Sequence, residues 1–293
     1  MSFLDRIAEL NTGRIDGLHP FVLDGAVLGW LSETTAARLT EYGDVFEFDQ
    51  RGLQLQKALR AADLMTRSDA VAPILIDLAR RGYLAGWRDE LFPIVARFSD
   101  APRLLVERAS VAMFGARGFG VHLNGFVRTN DGISMWIARR ADDKPTWPGA
   151  LDQMVAGGQP AGLGVRANVV KECWEEAGIE ASLARRAQAA GAVSYCMQTE
   201  VGLRPDWLFV FDLELPLDFT PNNTDGEVAA FELWPLADVA EAVASSHAFK
   251  PNCALVIIDF LVRHGFIDAT SRNFEAIVRG LHHRETLQRE VLG

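Results

Sequence analysis

The stretch that most constrains this chain runs from Gly157 to Ile179, GGQPAGLGVRANVVKECWEEAGI. Its second half has helical spacing, which puts residues three and four apart on one face. At about 100° per residue, Glu172, Glu175 and Glu176 fall within one sector. Val169, Val170, Cys173, Trp174 and Ala177 form an apolar stripe on the other side. Gly178 stands where a C-cap glycine ends a helix. Three carboxylates on one helix face repel each other unless a cation sits among them. An all-oxygen set suits a hard divalent ion, Mg2+ or Mn2+, rather than zinc. The competing reading is a solvated acidic face, common on Glu-rich helices.

The surroundings favour the metal. The stretch resembles the Nudix box, G-x5-E-x7-R-E-U-x-E-E-x-G-U, with U a bulky apolar residue. Gly157 matches the first glycine, and Glu172, Glu175, Glu176, Gly178 and Ile179 match the second half in register. Leu163 stands in place of the first glutamate, and Lys171 replaces the arginine. A lysine supplies charge there as a flexible point donor, without the rigid fork of arginine.

The resemblance implies an α/β fold, the Nudix α/β/α sandwich on a mixed sheet. It implies a metal held by Glu172, Glu175, Glu176 and Gly157, with Glu172 sharing a base role and Lys171 as its charge partner. Many Nudix enzymes take a further acid from a loop outside the box. Glu227, in Asn-Thr-Asp-Gly-Glu, is the candidate, with a solvated loop acid as the alternative. Gly157 and Gly158 either let backbone approach the site closely or simply make a turn.

The length of 293 residues allows one large or two ordinary domains. A net charge of −10 argues against a nucleic-acid backbone or an anionic membrane as partner. A small diphosphate is still compatible, because a metal and a few local bases can hold one. Cys173, Cys196 and Cys253 are odd in number and unclustered, which indicates neither a disulfide framework nor a zinc site. The opening MSFLDRIAEL lacks a signal-peptide core. No apolar run approaches the ~20 residues that cross a bilayer. The default expectation is a reducing cytoplasm.

Residues 1–108 are expected to form a small α+β accessory domain, and 109–293 the Nudix domain with C-terminal helices. The first part reads as a helix over Phe3–Leu10, strands in FVLDG and VLGWL, and helices near Thr34–Tyr42 and Ala70–Arg81. Ser99-Asp100-Ala101-Pro102 reads as a boundary signal. Trp30, Tyr83 and Trp87 read as core or interface aromatics, and this part shows no catalytic constellation. Asn130-Asp131-Gly132 joins two apolar runs as a hairpin turn. A second hairpin is expected around Gly202-Leu203-Arg204-Pro205, then a strand over Val228–Trp234. Helices are expected at Leu236–Ser245, Asn252–His264 and Asn273–Glu290.

Arg139, Arg140 and Lys144 lie between the first hairpin and the box, where they could meet a phosphate or serve only solubility. Trp147 could stack on an aromatic ring or close the loop. His122 and Asn124 read as structural, and His282 and His283 lack an acidic partner pattern.

Several stretches resemble the Nudix subfamily related to thiamine pyrophosphokinase, which carries an extra N-terminal domain. They include PFVLDGAVLGWL, DDKPTWPGALDQMVAGGQPAGL, GAVSYCMQTEVGLRPDWLFVFDLELP and FKPNCALVIIDFLVRHG. The resemblance implies hydrolysis of thiamine diphosphate, or its oxidised or damaged analogues, to the monophosphate, and it allows a homodimer. Alternatives are ADP-ribose or another nucleoside-diphosphate-linked substrate, or a weakly active ligand-binding regulatory module.

Overall fold

The structure is a computed structural model that describes residues 2–144 and 146–283. In chain order, the first part contains α1 (Phe3–Leu10), β1 (His19–Leu23), β2 (Ala26–Leu31), α2 (Glu33–Thr40), β3 (Phe46–Asp49) and β4 (Gly52–Leu55). It continues with α3 (Lys57–Arg60), α4 (Leu64–Arg80), β5 (Leu91–Ile94) and β6 (Leu104–Glu107). Strands β2-β1-β4-β3 form one sheet, and β5 and β6 form a separate hairpin. Phe21, Leu53, Leu75 and Phe114 are buried in the core between these elements. Ser99–Pro102 lies in the turn of the β5–β6 hairpin and not between domains. A polar, Pro-containing turn and a linker have the same composition, so sequence alone confuses them. Helix α4 starts at Leu64, six residues before its expected start, because Asp63 caps it through the Thr66 amide at 2.8 Å.

The second part contains β7 (Gly118–Thr129), β8 (Gly132–Arg140), β9 (Leu151–Gln153), β10 (Val155–Gly158), α5 (Val165–Ala177) and α6 (Ala181–Ala184). Then come β11 (Gln188–Gln198), β12 (Leu203–Glu214), β13 (Val228–Pro235), α7 (Leu236–Ser245), α8 (Pro251–Arg263) and α9 (Phe274–Gly280). The sheet order is β11-β12-β7-β8-β13, with β10 added to β7 and β9 to β8. Strand β7 runs parallel to β12 and antiparallel to β8 and β10, so the sheet is mixed. Alternation along β7 sends Val121 and Leu123 towards α5, while Phe126 packs with α7 and α8 on the opposite face. That is the α/β/α layering. The β11–β12 turn covers 199–202, and Leu203, Arg204 and Pro205 already belong to β12.

The run of buried residues from Cys253 to Leu261, apolar except for Asp259, shows that α8 is enclosed on every side. One of its neighbours is α1, whose Ile7 and Leu10 join the core of the second part. Gly280 of α9 allows this, since a Cβ there would overlap the Ile7 side chain. Helix α9 then ends, and His283 donates its amide to the Ser194 carbonyl of β11 at 3.1 Å. The expected helix to Glu290 therefore stops at Gly280, and its portion beyond 283 lies outside the described residues. Among the described residues no helix is long and apolar enough to cross a membrane.

Ile7 is 4% exposed, so Ile7→Ala is expected to cost about 2–4 kcal/mol in urea-induced unfolding. A loss below about 0.5 kcal/mol would show that α1 does not support the second core.

Candidate active site

The box begins inside a sheet. Val155 to Gly158 pair with Leu123 to Gly120 of β7, and neither Gly157 nor Gly158 has a left-handed φ. Close approach therefore explains these glycines, and turn geometry does not. A Cβ on Gly157 would overlap the carboxyl group of Glu172. A Cβ on Gly158 would lie 2.7 Å from Phe92 Cζ and 3.2 Å from the guanidinium carbon of Arg108.

Helix α5 packs on β7 and β10, with Val169, Cys173 and Ala177 buried. Glu172 and Glu176 are buried as well, at 9% and 8% exposure, whereas Trp174 is 49% exposed. The apolar stripe is thus narrower than the sequence suggests, because strand β10 covers the carboxylate side and leaves Trp174 outside. Lys171 Nζ donates to Glu175 at 2.6 Å and Glu172 at 3.2 Å, so it holds the two acids together. Glu176 accepts from the Ala156 amide at 2.7 Å. Burial raises the Glu172 carboxyl above its ordinary value despite Lys171, and pushes Glu176 well above it despite that amide. A divalent ion would supply the charge that burial withholds. The all-oxygen donors and the space that Gly157 leaves for Glu172 fit one.

A loop brings up the further acid. The Asn222 amide donates to Ala177 O at 3.0 Å, and Thr224 donates its amide and hydroxyl to Glu175 O at 3.1 and 2.8 Å. These bonds satisfy carbonyls at the end of α5 and dock the 222–227 loop beside the box. Glu227 is ion-paired to Lys144 and lies 3.6 Å from Arg88. Burial raises its carboxyl, but Lys144, then Arg88 and Arg108, outweigh burial and hold it below the ordinary value. An ionised carboxylate of this kind serves better as an anchor or cation ligand than as a proton acceptor.

Beside the box opens a cavity of about 380 Å³, within the range of small-molecule sites. Arg140, Lys144, Trp147, Gly157, Gly158 and Glu227 line it together with Arg88, Phe92 and Arg108 of the first part. Arg139 is not on this wall. It pairs with Glu232 at 3.6 Å, because adjacent residues of a strand face opposite ways and only Arg140 can face the cavity. Arg140 is itself committed to Asp152 at 3.0 Å, Thr146 O at 3.0 Å and Trp147 O at 3.1 Å. It shapes the 142–149 loop and presents Trp147, which is 53% exposed with φ 51°.

The floor holds a second polar group. His122, Asp152 and Cys253 bring donor atoms within 4.8 Å of one another. Here the chemistry opposes a cation. Asp152 already faces Arg140 and Lys250, at 3.0 and 3.6 Å, and accepts from the Cys253 thiol. Burial pushes that thiol well above its ordinary value, and burial with Lys250 lowers His122 to about 4. The group is an ion network around a neutral imidazole.

Sequence reasoning missed Arg88, Phe92, Arg108 and Lys250. Each is an isolated residue with no local pattern, and only the fold brings it to the box.

Residues 2–118 match a family model described as a domain of unknown function (DUF4743), and residues 120–253 match the NUDIX domain. Over 294 residues the chain is 40% identical to Nudix hydrolase 20, chloroplastic, of Arabidopsis thaliana, covering 97% of this chain and 78% of that protein. The chain belongs to the Nudix hydrolase family. It is 40% identical also to Nudix hydrolase 24, chloroplastic, of the same plant, covering 95% of this chain and 77% of that one. The structure of a MutT protein from Methanosarcina mazei overlays with TM-score 0.39 and 17% identity, covering 50% of this chain and 95% of that chain. This Nudix hydrolase carries its extra domain ahead of the catalytic fold. The cytoplasmic expectation does not stand, since both plant relatives are named chloroplastic.

Raised carboxyls favour the metal-free fold below the unfolded glutamate value, and that contribution is lost as pH rises through the folded values. The melting-temperature gain from added Mg2+ or Mn2+ is therefore expected to grow with pH above about 4.5. A gain independent of pH would remove Glu172 and Glu176 from the metal site. Gly157→Ala is expected to abolish the gain at every pH, read by thermal denaturation.

Proposed function

We propose that this Nudix hydrolase is a Mg2+- or Mn2+-dependent diphosphatase for a small organic diphosphate. Thiamine diphosphate or an oxidised or damaged analogue is the substrate, and the monophosphate is the product. One observation carries the reading: buried Glu172 is seated against Gly157, with buried Glu176 on the Ala156 amide, at the edge of a cavity walled by cations. When bound, the divalent ion would neutralise the diphosphate and lower the pKa of the attacking water.

Glu172, Glu175 and Glu176 would hold that ion, and Gly157 leaves Glu172 the space to do so. Glu172 shares the base role that the family resemblance implies and accepts a proton from the attacking water. Lys171 keeps Glu172 and Glu175 turned to one side, the task the family gives to arginine. Glu227 anchors Lys144, whose ammonium faces the anionic substrate. Trp147 offers a half-exposed ring at the cavity for a flat heterocycle. The thiamine assignment is supported by the subfamily resemblance together with that ring. The domain division follows the same reading, an accessory unit over residues 1–108 ahead of a Nudix unit over 109–293, with α1 of the first packed on the core of the second. A weakly active regulatory module is the second reading, favoured by Leu163 and Lys171 where the box has glutamate and arginine.

The test is product release from thiamine diphosphate, oxythiamine diphosphate, ADP-ribose and a nucleoside triphosphate with Mg2+. The thiamine compounds are expected to be turned over best. Glu172→Gln is expected to lower turnover about a hundred- to ten-thousand-fold while the protein stays folded. Preference for ADP-ribose would keep the chemistry and replace the substrate. Binding without turnover would establish the regulatory reading.

A further inference from the structure

The two arginines that the accessory unit turns into the cavity rest on a built support. Glu107 is 4% exposed. Its Oε1 accepts from the Arg88 amide at 2.8 Å and its Oε2 from the Ala109 amide at 2.5 Å. One buried carboxylate thus fixes the backbone at Arg88 and just after Arg108. The Arg108 amide donates to Glu90 O at 2.9 Å and closes the loop.

The side chains keep spare capacity. They are 39% and 44% exposed, and they face carboxylates at 3.6 Å (Arg88 to Glu227) and 3.3 Å (Arg108 to Glu90). Arg108 lies 5.7 Å from the centre of the Phe92 ring, and both reach the space where a Cβ of Gly158 would stand. Consecutive glycines of β10 therefore admit a box carboxylate at Gly157 and an arginine of the other unit at Gly158. Solubility requires neither a buried carboxylate under an arginine nor a missing Cβ beside it. Lys144 and Arg88 also share the one carboxylate of Glu227, which leaves positive charge for a ligand.

We infer that Arg88 and Arg108 grip the substrate's terminal phosphate, so that the accessory unit sets specificity for organic diphosphates that end in one. This rests on the diphosphatase reading above. The planar guanidinium matches phosphate oxygens in pairs, and two of them suit the extra charge of a terminal phosphate. A diphosphate bridged at both ends offers less charge and loses part of the grip.

The test uses the full chain with Mg2+, as Arg88→Ala, Arg108→Ala, Arg108→Lys and Gly158→Ala. It reads kcat and KM on thiamine diphosphate, affinity for inorganic pyrophosphate by calorimetry, and melting temperature. Each alanine replacement of an arginine is expected to lower kcat/KM about ten- to a hundred-fold, mainly through KM, and to weaken pyrophosphate binding similarly. Arg108→Lys is expected to recover part of the loss. Gly158→Ala keeps both arginines but displaces Arg108, and is expected to reproduce the Arg108→Ala defect. Melting temperatures are expected to stay within a few degrees of the parent. Unchanged kcat/KM and pyrophosphate affinity in both arginine-to-alanine variants would overturn the inference. If the parent hydrolyses no diphosphate, the diphosphatase reading fails, and pyrophosphate binding alone judges the grip. Weaker binding in the variants would then support it, and equal or absent binding would overturn it.

Discussion

Two carboxyl groups buried against a strand that ends in two glycines are the constraint on which this molecule is arranged. Burying Glu172 and Glu176 is costly unless a cation compensates them, and Glu172 packs against β10 only because Gly157 has no Cβ. Strand β10 is in turn held on β7, the strand from which the whole mixed sheet extends. The helix, the strand and the sheet order therefore serve one placement of charge. The apolar residues of α5 provide the grip that lets the acids be held there.

Around that placement the charges are shared unevenly. Asp152 serves both Arg140 and Lys250, and Glu227 serves both Lys144 and Arg88. Each carboxylate keeps two cations ordered while neutralising one of them. The result is a wall that is positive and also rigid, two properties that free lysines on a surface do not combine. It also reconciles a chain of net charge −10 with an anionic substrate, because the local field at the cavity has the opposite sign to the whole.

The box was legible because its spacing is local: a helix face, a C-cap glycine and a paired glycine ahead of it are all read along the chain. Boundaries of α1 and α7 follow from sequence for the same reason. What escaped depends on non-local geometry. Arg139 and Arg140 look equivalent until the pleat of β8 assigns them opposite faces. Trp174 looks like core until β10 takes the side it was expected to occupy. Ser99–Pro102 has linker composition but turns a hairpin. Arg88 and Arg108 carry no pattern at all, since their meaning comes from Glu227 and Gly158, far along the chain.

The position of α1 has a consequence for how the molecule is made. Asn11 donates its side-chain amide to Gly280 O, across 269 positions of sequence, and the same helix end packs on α8. Helix α1 is made long before α8 and α9 and waits for them before it has a place to rest. The accessory sheet, whose strands lie within residues 19–55, closes on itself much sooner. Synthesis would therefore leave an early-folded unit carrying an unsettled amphipathic helix, and the second core is completed only when α1 docks on α8 and α9.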